Sequence, residues 1–413
     1  MSHGRDDIQV AVVTALPVER TAVQLLIDDL VDEHVPGDPN HYQSGRLPGK
    51  GHDQTHRVVV AMQTEDGTRN AAAVVTNLVR SFPRLRCVVM CGIAGGVPAP
   101  DAPHRHVRLG DIVVATDGVV DYDHVRTVDS RSHLRRSVSG LSRELLRADR
   151  ELEVKELADD WPWRSLLSGR AGRRLPAGYS RPPDSTDVLL WRGKRTDHPR
   201  RAASGHVPGW PRVHRCAIGS ADRLVRDAVK RDELAHRHGV RAVEMESSGL
   251  AVGADLHGTH WFVVRGVADY CDDASKNDRW HRYASLVAAA YVRALLAECR
   301  PFLDDREWSA TAGHRTGEGN RLTSLARIVD VLLTVPHMQD DYHRRAVMAL
   351  LPLHIRTMIA DNVNGRLHVI AMVQTCFDAD DGRQSLLGAL RLSLPPSTDL
   401  ERVIETIETH WPD

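Results

Sequence analysis

The sequence predicts an α/β layered fold, a mostly parallel or mixed sheet flanked by helices, followed by a small all-α bundle. Three observations predict it. Short β-branched apolar runs alternate with helical stretches up to about Arg300, the pattern of buried strands and their covering helices. A polar, glycine-bearing stretch from Pro301 to Asn320 then reads as a linker. Beyond Arg321 only helical spacing remains. At 413 residues the chain exceeds the usual single-domain size, which allows two separate cores. The expected division is 1–303, a linker over 304–320, and 321–413.

The predicted strands are Ile8 to Leu16, Arg57 to Gln63, Cys87 to Ile93, Asp111 to Thr116, Val213 to Ile218, Ala242 to Met245 and Trp261 to Val267. The helices among them are Val18 to Leu30, Thr68 to Arg80, Ala221 to Arg237, Ser247 to Leu256 and Trp280 to Arg300. From about Thr127 to Arg212 the pattern gives way to an insertion rich in Arg, Pro, Gly and Trp, with one helix, Ser142 to Leu157. Its arginines read first as a solvated, mobile basic loop and second as a phosphate-binding surface. In the last part Leu322, Leu325, Val329 and Leu332 recur at helical spacing. Helical segments follow over Asp341 to Leu351, Leu353 to Ala360, Leu367 to Phe377, Gln384 to Leu392 and Asp399 to His410. The last is introduced by Pro395-Pro396 and a capping box from Thr398 to Glu401. Short amphipathic helices in such number make a compact bundle.

Composition narrows the function classes. Lysine plus arginine (54) nearly cancel aspartate plus glutamate (55), so nucleic acid is not expected as the main partner. The six cysteines form no CxxC pair, which suggests neither a disulfide framework nor a zinc site. The first residues lack a basic-then-apolar signal region, and no apolar run approaches the ~20 residues of a membrane span. A soluble cytoplasmic protein without cofactor or metal is expected.

Chemistry concentrates at strand ends, where open α/β sheets bind ligands. Glu19 follows the first strand in TALPVE; alone, it reads first as a glutamate offsetting a helix dipole. Cys91 to Gly96, CGIAGG, brings glycines after an apolar strand, where backbone can approach a ligand closely. Glu244 and Glu246 in VEMES would share one strand face, and a carboxylate there can grip neighbouring hydroxyls with both oxygens. Asp269 ends the run FVVRGVADY, as a helix cap or as part of a site. Three strand-end carboxylates together favour a site.

These ordered motifs, TALPVE, CGIAGGV, LGDIVV, VEMES and VVRGVADY, resemble the nucleoside phosphorylase and nucleosidase superfamily over about residues 8 to 300. Together with the tail ASKNDRWHRYASLVAAAYVRALL, they are most similar to the variant used as an effector domain in multidomain signalling NTPases. The resemblance implies a phosphorylase-like central mixed sheet and a purine N-glycosidic bond as the target. It implies that Glu19 activates water, Glu246 holds ribose hydroxyls with Met245 packing beside the sugar, and Asp269 protonates N7 of the departing purine. Ile93, Ala94, Gly95, Glu244 and Tyr270 fall among the substrate-binding positions. An acid for the base, an anchor for the sugar and a base for water are what an oxocarbenium-like transition state needs. Phosphorylases of the superfamily present a serine and arginines to phosphate; here the serine position is Ile93 and Glu19 supplies a repelling carboxylate, so hydrolysis is expected. Two positions depart from related nucleosidases. Asp222 stands where an aromatic stacks on the base, which would leave stacking to Tyr270 or a tryptophan of the insertion, and Ala268 replaces a serine before Asp269. Adenine is the expected base. Gly67-Thr68-Arg69 opens a helix and reads either as a cap or as a 5′-phosphate site that would admit nucleotides such as ATP.

The segment from Leu322, with VDVLLTVPHMQDDYHRRAVMALLP, RLHVIAMVQTCFD and GRQSLLGALRL, resembles the effector-associated domains of bacterial conflict systems. These are helical adaptors that pair with a like domain on a signalling NTPase or protease. Cys376 and His368 are expected to be non-catalytic. The combined expectation is a homo-oligomeric purine nucleosidase serving as a defence effector. A housekeeping phosphorylase or methylthioadenosine-type nucleosidase, and an inactive nucleotide-binding module, are the alternatives.

Overall fold

The computed structural model describes residues 5–128, 131–134, 137–138, 141–168, 175–192, 194–223, 225–272, 278–302, 318–356, 358–359, 365–379 and 381–411. The chain divides into two compact units, Met1–Phe302 and Leu303–Asp413.

In the first unit the elements run β1 (Val10–Thr14), α1 (Pro17–Gln24), β2 (Asp28–Glu33), β3 (Tyr42–Pro48), β4 (Thr55–Met62), α2 (Thr68–Ser81) and β5 (Cys87–Gly96). Next come β6 (Ile112–Val114), β7 (Val119–Asp121), β8 (Val125–Val128), β9 (Arg131–Leu134), β10 (Ser137–Val138), α3 (Arg143–Leu157) and α4 (Pro162–Leu167). After them lie β11 (Leu189–Trp191), β12 (Lys194–Thr196), α5 (Arg201–Ser204), β13 (Val213–Arg215), β14 (Ile218–Ser220) and α6 (Ala228–His238). The unit ends with β15 (Ala242–Glu244), α7 (Ser247–Leu256), β16 (His260–Asp269) and α8 (His281–Ala297).

One mixed sheet carries the order β10-β7-β14-β15-β5-β1-β4-β3-β2, with β16 beside β5 and β6, and β13 beside β6. The fold class expected from the sequence is therefore observed. Strand β5 is the pivot. Its first half lies between β1 and β16, parallel to both, and its last residues, Gly95 and Gly96, pair antiparallel with β15. A strand flanked on both sides and covered by helices excludes water from both faces, which is why VVM in its centre is fully buried. Helix α8 covers β16 and β5, and α2 packs on α7. At the α8 crossing a Cβ on Gly266 would stand 1.9 Å from the carbonyl oxygen of Ala284.

Three sequence expectations change. The helix foreseen over Val18 to Leu30 stops at Gln24, and Asp28–Glu33 pairs antiparallel with β3. DDLVDE has poor strand propensity but suits a charged edge strand, which resists pairing with other chains. The helix foreseen from Ala221 begins at Ala228, because the Asp227 side chain accepts the Val229 and Lys230 N–H groups and caps it there. Among its described residues the insertion holds more than the one foreseen helix: α4 follows α3, and Arg164 lies over Trp161 at 3.8 Å. Arg181 and Arg201 pair with Asp184. No helix among the described residues is long and apolar enough to cross a membrane.

The second unit is all-helical among its described residues: α9 (Glu318–Leu332), α10 (Pro336–Gln339), α11 (Asp341–Ala349), α12 (Leu353–Arg356), α13 (Gly365–Phe377), α14 (Gly382–Ser393) and α15 (Thr398–His410). Its own core includes Ile328, Leu332, Val347, Val373, Cys376, Leu386, Leu390 and Ile407. The cap of α15 is Ser397, whose hydroxyl accepts the Leu400 N–H, one residue earlier than the sequence pattern suggests.

A Gly266→Ala variant inserts a methyl group against immobile backbone, and overpacking of this kind costs about 1–3 kcal/mol. Urea unfolding of the variant is expected to show that loss with an unchanged m-value.

Candidate active site

Four segments meet at the carboxyl ends of β1, β5, β15 and β16. Pro17 opens α1 just after β1, and Glu19 in its first turn folds back so that Oε2 accepts the N–H groups of Ala15 (2.7 Å) and Leu16 (2.9 Å). Its Oε1 accepts the N–H of Ile93 on β5 at 2.7 Å. The glycine before Ile93 makes this approach possible: a Cβ on Gly92 would lie 2.4 Å from Glu19 Oε1 and 2.5 Å from Arg265 Nη1.

Arg265 is the centre of the cluster. It lies on β16 in register with Gly92 and is fully buried. Its Nη2 donates to Glu246 Oε2 at 3.0 Å and, at closer range, to Glu244 Oε2, while Nη1 stands 4.0 Å from Glu19 Oε1. The sequence reading missed it. The available signal was one arginine inside an otherwise apolar buried strand, a placement that requires buried anionic partners.

Glu244 and Glu246 do not alternate on one strand as expected. Glu244 ends β15, whereas Glu246 is the cap position of α7. Glu244 accepts the N–H and hydroxyl of Ser247 and the N–H of Glu246, and so anchors the start of α7 as well as Arg265. Burial pushes Glu246 up to about 8, against the pull of Arg265 and with the added push of Glu244 and Glu19. Burial likewise raises Glu19, opposed first by Arg265 and then by its three backbone donors. Buried together, Glu19 and Glu246 retain a proton more readily than isolated carboxylates.

Asp269 ends β16 at a register shift opposite Gly95. Its Oδ1 accepts the N–H of Cys271 at 2.8 Å, and Cys271 adopts the left-handed φ of 52° that closes this turn. Asp269, Met245, Glu244 and Gly95 line a cleft together with Val243, Cys271, Arg223 and Arg226. Ile93 and Ala94 lead into it along β5. The two arginines come from the loop that replaces the expected start of α6.

Two expected contributors lie elsewhere. The Tyr270 ring is buried, its hydroxyl donates to Asp187 at 2.6 Å and accepts the Leu109 N–H, and it is not among the residues lining the cleft. It is therefore a packing and hydrogen-bonding residue rather than a stacking platform. At Gly67-Thr68-Arg69 the start of α2 is occupied by the chain's own anion: Asp222 accepts the Thr68 N–H at 3.1 Å and lies 3.7 Å from the exposed Arg69. The expected phosphate position is thus filled by a carboxylate, as the helix dipole favours.

The sequence profile of the phosphorylase superfamily matches residues 9–297. The chain belongs to the phosphorylase superfamily. The profile described as effector-associated domain 2 matches residues 329–408. A nucleotide-binding leucine-rich repeat (NLR)-like protein of Hyaloscypha variabilis is 29% identical over 316 residues, 72% of this chain, and the match spans 30% of that protein's length. The 5′-methylthioadenosine/S-adenosylhomocysteine nucleosidase of Mycobacterium bovis is 27% identical over 289 residues, covering 70% of this chain and 96% of the relative. Among solved structures, the nucleosidase of the same description from Neisseria meningitidis, bound to methylthio-immucillin-A, is 19% identical with a TM-score of 0.46, covering 70% of this chain and 98% of its own. Futalosine hydrolase of Helicobacter pylori is 16% identical with a TM-score of 0.45, over 71% and 100% of the two chains.

Replacing Arg265 by Met leaves buried carboxylates without their cation, a change that costs about 3–5 kcal/mol. Equilibrium unfolding is expected to register that loss at neutral pH.

Proposed function

We propose that the phosphorylase-superfamily unit is a purine nucleosidase that hydrolyses the N-glycosidic bond of an adenine nucleoside or nucleotide, ATP included. The observation that carries this reading is the approach of Glu19 to the Ile93 N–H. A carboxylate stands where a phosphorolytic enzyme needs an anion-binding position, so phosphate is repelled and water is the fitting nucleophile. Glu19 Oε1 keeps a lone pair beyond the Ile93 contact, and its raised pKa makes it a stronger base than an exposed glutamate.

In the proposed reaction water attacks C1′ and gives its proton to Glu19 while the C1′–N9 bond breaks. The bond's electron pair leaves with the purine, which takes a proton at N7 from the Asp269 carboxyl. Glu246 meets the ribose hydroxyls, with Met245 beside the sugar. The line of Ile93, Ala94 and Gly95 faces the substrate, and Arg223 and Arg226 add cations at the rim, which suits a phosphorylated substrate better than a neutral one. The cleft measures about 60 Å³, far below the ~300 Å³ of ordinary ligand pockets, so these rim side chains move aside for a nucleoside.

The helical unit matching the effector-associated profile is proposed as the link to a protein partner, a signalling NTPase or protease carrying a like domain. The pairing of this unit with a nucleosidase supports a role as an effector in bacterial antiviral defence rather than in purine salvage. A homo-oligomer is the proposed assembly.

Incubating the protein with ATP, dATP, adenosine or methylthioadenosine, with and without phosphate, and quantifying free base by chromatography tests the reaction class. Base release that needs no phosphate is expected; strict phosphate dependence would overturn hydrolysis. Asp269→Asn is expected to lower the rate about 10²–10⁴-fold. Because Glu19 works as the carboxylate and burial raises its pKa, the rate should fall with decreasing pH from a point above the usual glutamate range. An acid limb at the unperturbed glutamate position would contradict the assignment.

A further inference from the structure

On the flank of the sheet, away from the carboxylate cluster, a second set of buried polar side chains converges on one atom. Asp111, just before β6, is reached by His206 Nε2 at 2.7 Å and His214 Nε2 at 2.9 Å, both on the same oxygen, Oδ2. All three side chains are at most 3% exposed, and the three ligand-type atoms lie within 4.8 Å of one another. Zinc-type sites with arms of about 2.0–2.2 Å hold their donors ~3.4 Å apart, so admitting an ion moves each imidazole back from Oδ2 by roughly half an ångström or slightly more.

The surrounding hydrogen bonds prepare the donors. The Ser204 hydroxyl lies 3.3 Å from the carbonyl oxygens of Arg200 and Arg201, to which it donates, and 2.9 Å from His206 Nδ1. That hydroxyl oxygen can accept an Nδ1–H, and in that tautomer His206 Nε2 presents a lone pair towards the carboxylate. A cation shared by the two atoms, a proton or a metal ion, satisfies both at 2.7 Å. His214 Nδ1 has no hydrogen-bond partner among the described residues, so Nε2, 2.9 Å from Asp111 Oδ2, is the nitrogen placed to ligate. Asp111 is oriented by the backbone N–H groups of Arg108 on Oδ2 and Arg212 on Oδ1, while the guanidinium groups of those residues turn to the carbonyls of Pro199 and Ser204. Orientation of ligands by outer partners, as for His206 and Asp111 here, is the usual arrangement around bound metals.

We propose that Asp111, His206 and His214 bind one divalent transition-metal ion of the zinc type, with water completing a tetrahedral set. Two imidazoles and a carboxylate without sulfur suit zinc or cobalt rather than copper(I) or calcium. The ion fastens the end of the insertion to the sheet. Asp111 also accepts the Val267 N–H through its own carbonyl, two residues before Asp269, so the fastening supports the strand that ends in the proposed acid.

The full chain, prepared without a histidine tag, is to be assayed for metal by mass spectrometry after incubation with equimolar zinc and gel filtration. About one zinc per chain is expected, with a higher Tm than after chelation. Cobalt substitution should give the visible bands of a tetrahedral site. His206→Ala and His214→Ala should lose both signals, and Ser204→Ala should weaken metal affinity about 10–100-fold. His106→Gln, altering a neighbouring ring outside the set, should keep them. A folded wild-type chain that retains no stoichiometric zinc and gives no cobalt bands would overturn the proposal, whatever the variants do. These readouts do not depend on nucleosidase activity.

Discussion

A guanidinium sealed inside the sheet governs the first unit. Arg265 has no contact with water, and its charge is tolerable only because Glu244, Glu246 and, at longer range, Glu19 surround it. Each of those carboxylates must in turn be satisfied. Glu19 takes backbone donors from the start of α1 and from β5, and Glu244 takes those at the start of α7. The ends of β1, β5, β15 and β16 are thus fixed by one electrostatic cluster. Gly92 follows from it too, since no side chain fits between the carboxylate and the guanidinium. What looks in sequence like a set of separate motifs is in space a single charge-balance problem.

The legible parts of the fold were those whose own residues pay for burial. Cys87 to Ile93 is apolar without interruption and Trp261 to Val267 is apolar but for Arg265, and α7 was readable to the residue because its apolar face begins and ends sharply. The edge hairpin was not legible: DDLVDE earns its place by pairing with β3, through Asp28 opposite Arg46 and Asp32 opposite Gln43, a tertiary circumstance that local propensity does not encode. The same holds for the start of α6, which Asp227 caps while the earlier candidate Asp222 is engaged by the Thr68 N–H of α2.

At the site, the strand-end positions of Glu19, Glu246 and Asp269 could be read from motif order, but their partners could not. Nothing near Glu19 in sequence announces Ile93 or Arg265. Tyr270 illustrates the opposite error: adjacency to Asp269 suggested a shared role, yet successive residues at a strand end point in different directions, and the ring turns to Asp187 and Leu109. Asp222 could be seen as an odd residue for a base-stacking position. That it caps α2 instead depends on a loop conformation no periodicity reveals.

The crossing of α8 over β16 at Gly266 leaves no gap for sliding. Arg265 precedes that contact immediately and Asp269 lies three residues beyond it. Helix and strand meet there backbone to backbone, so the position of α8 sets the position of the strand segment that carries both the buried cation and the cleft-lining carboxylate.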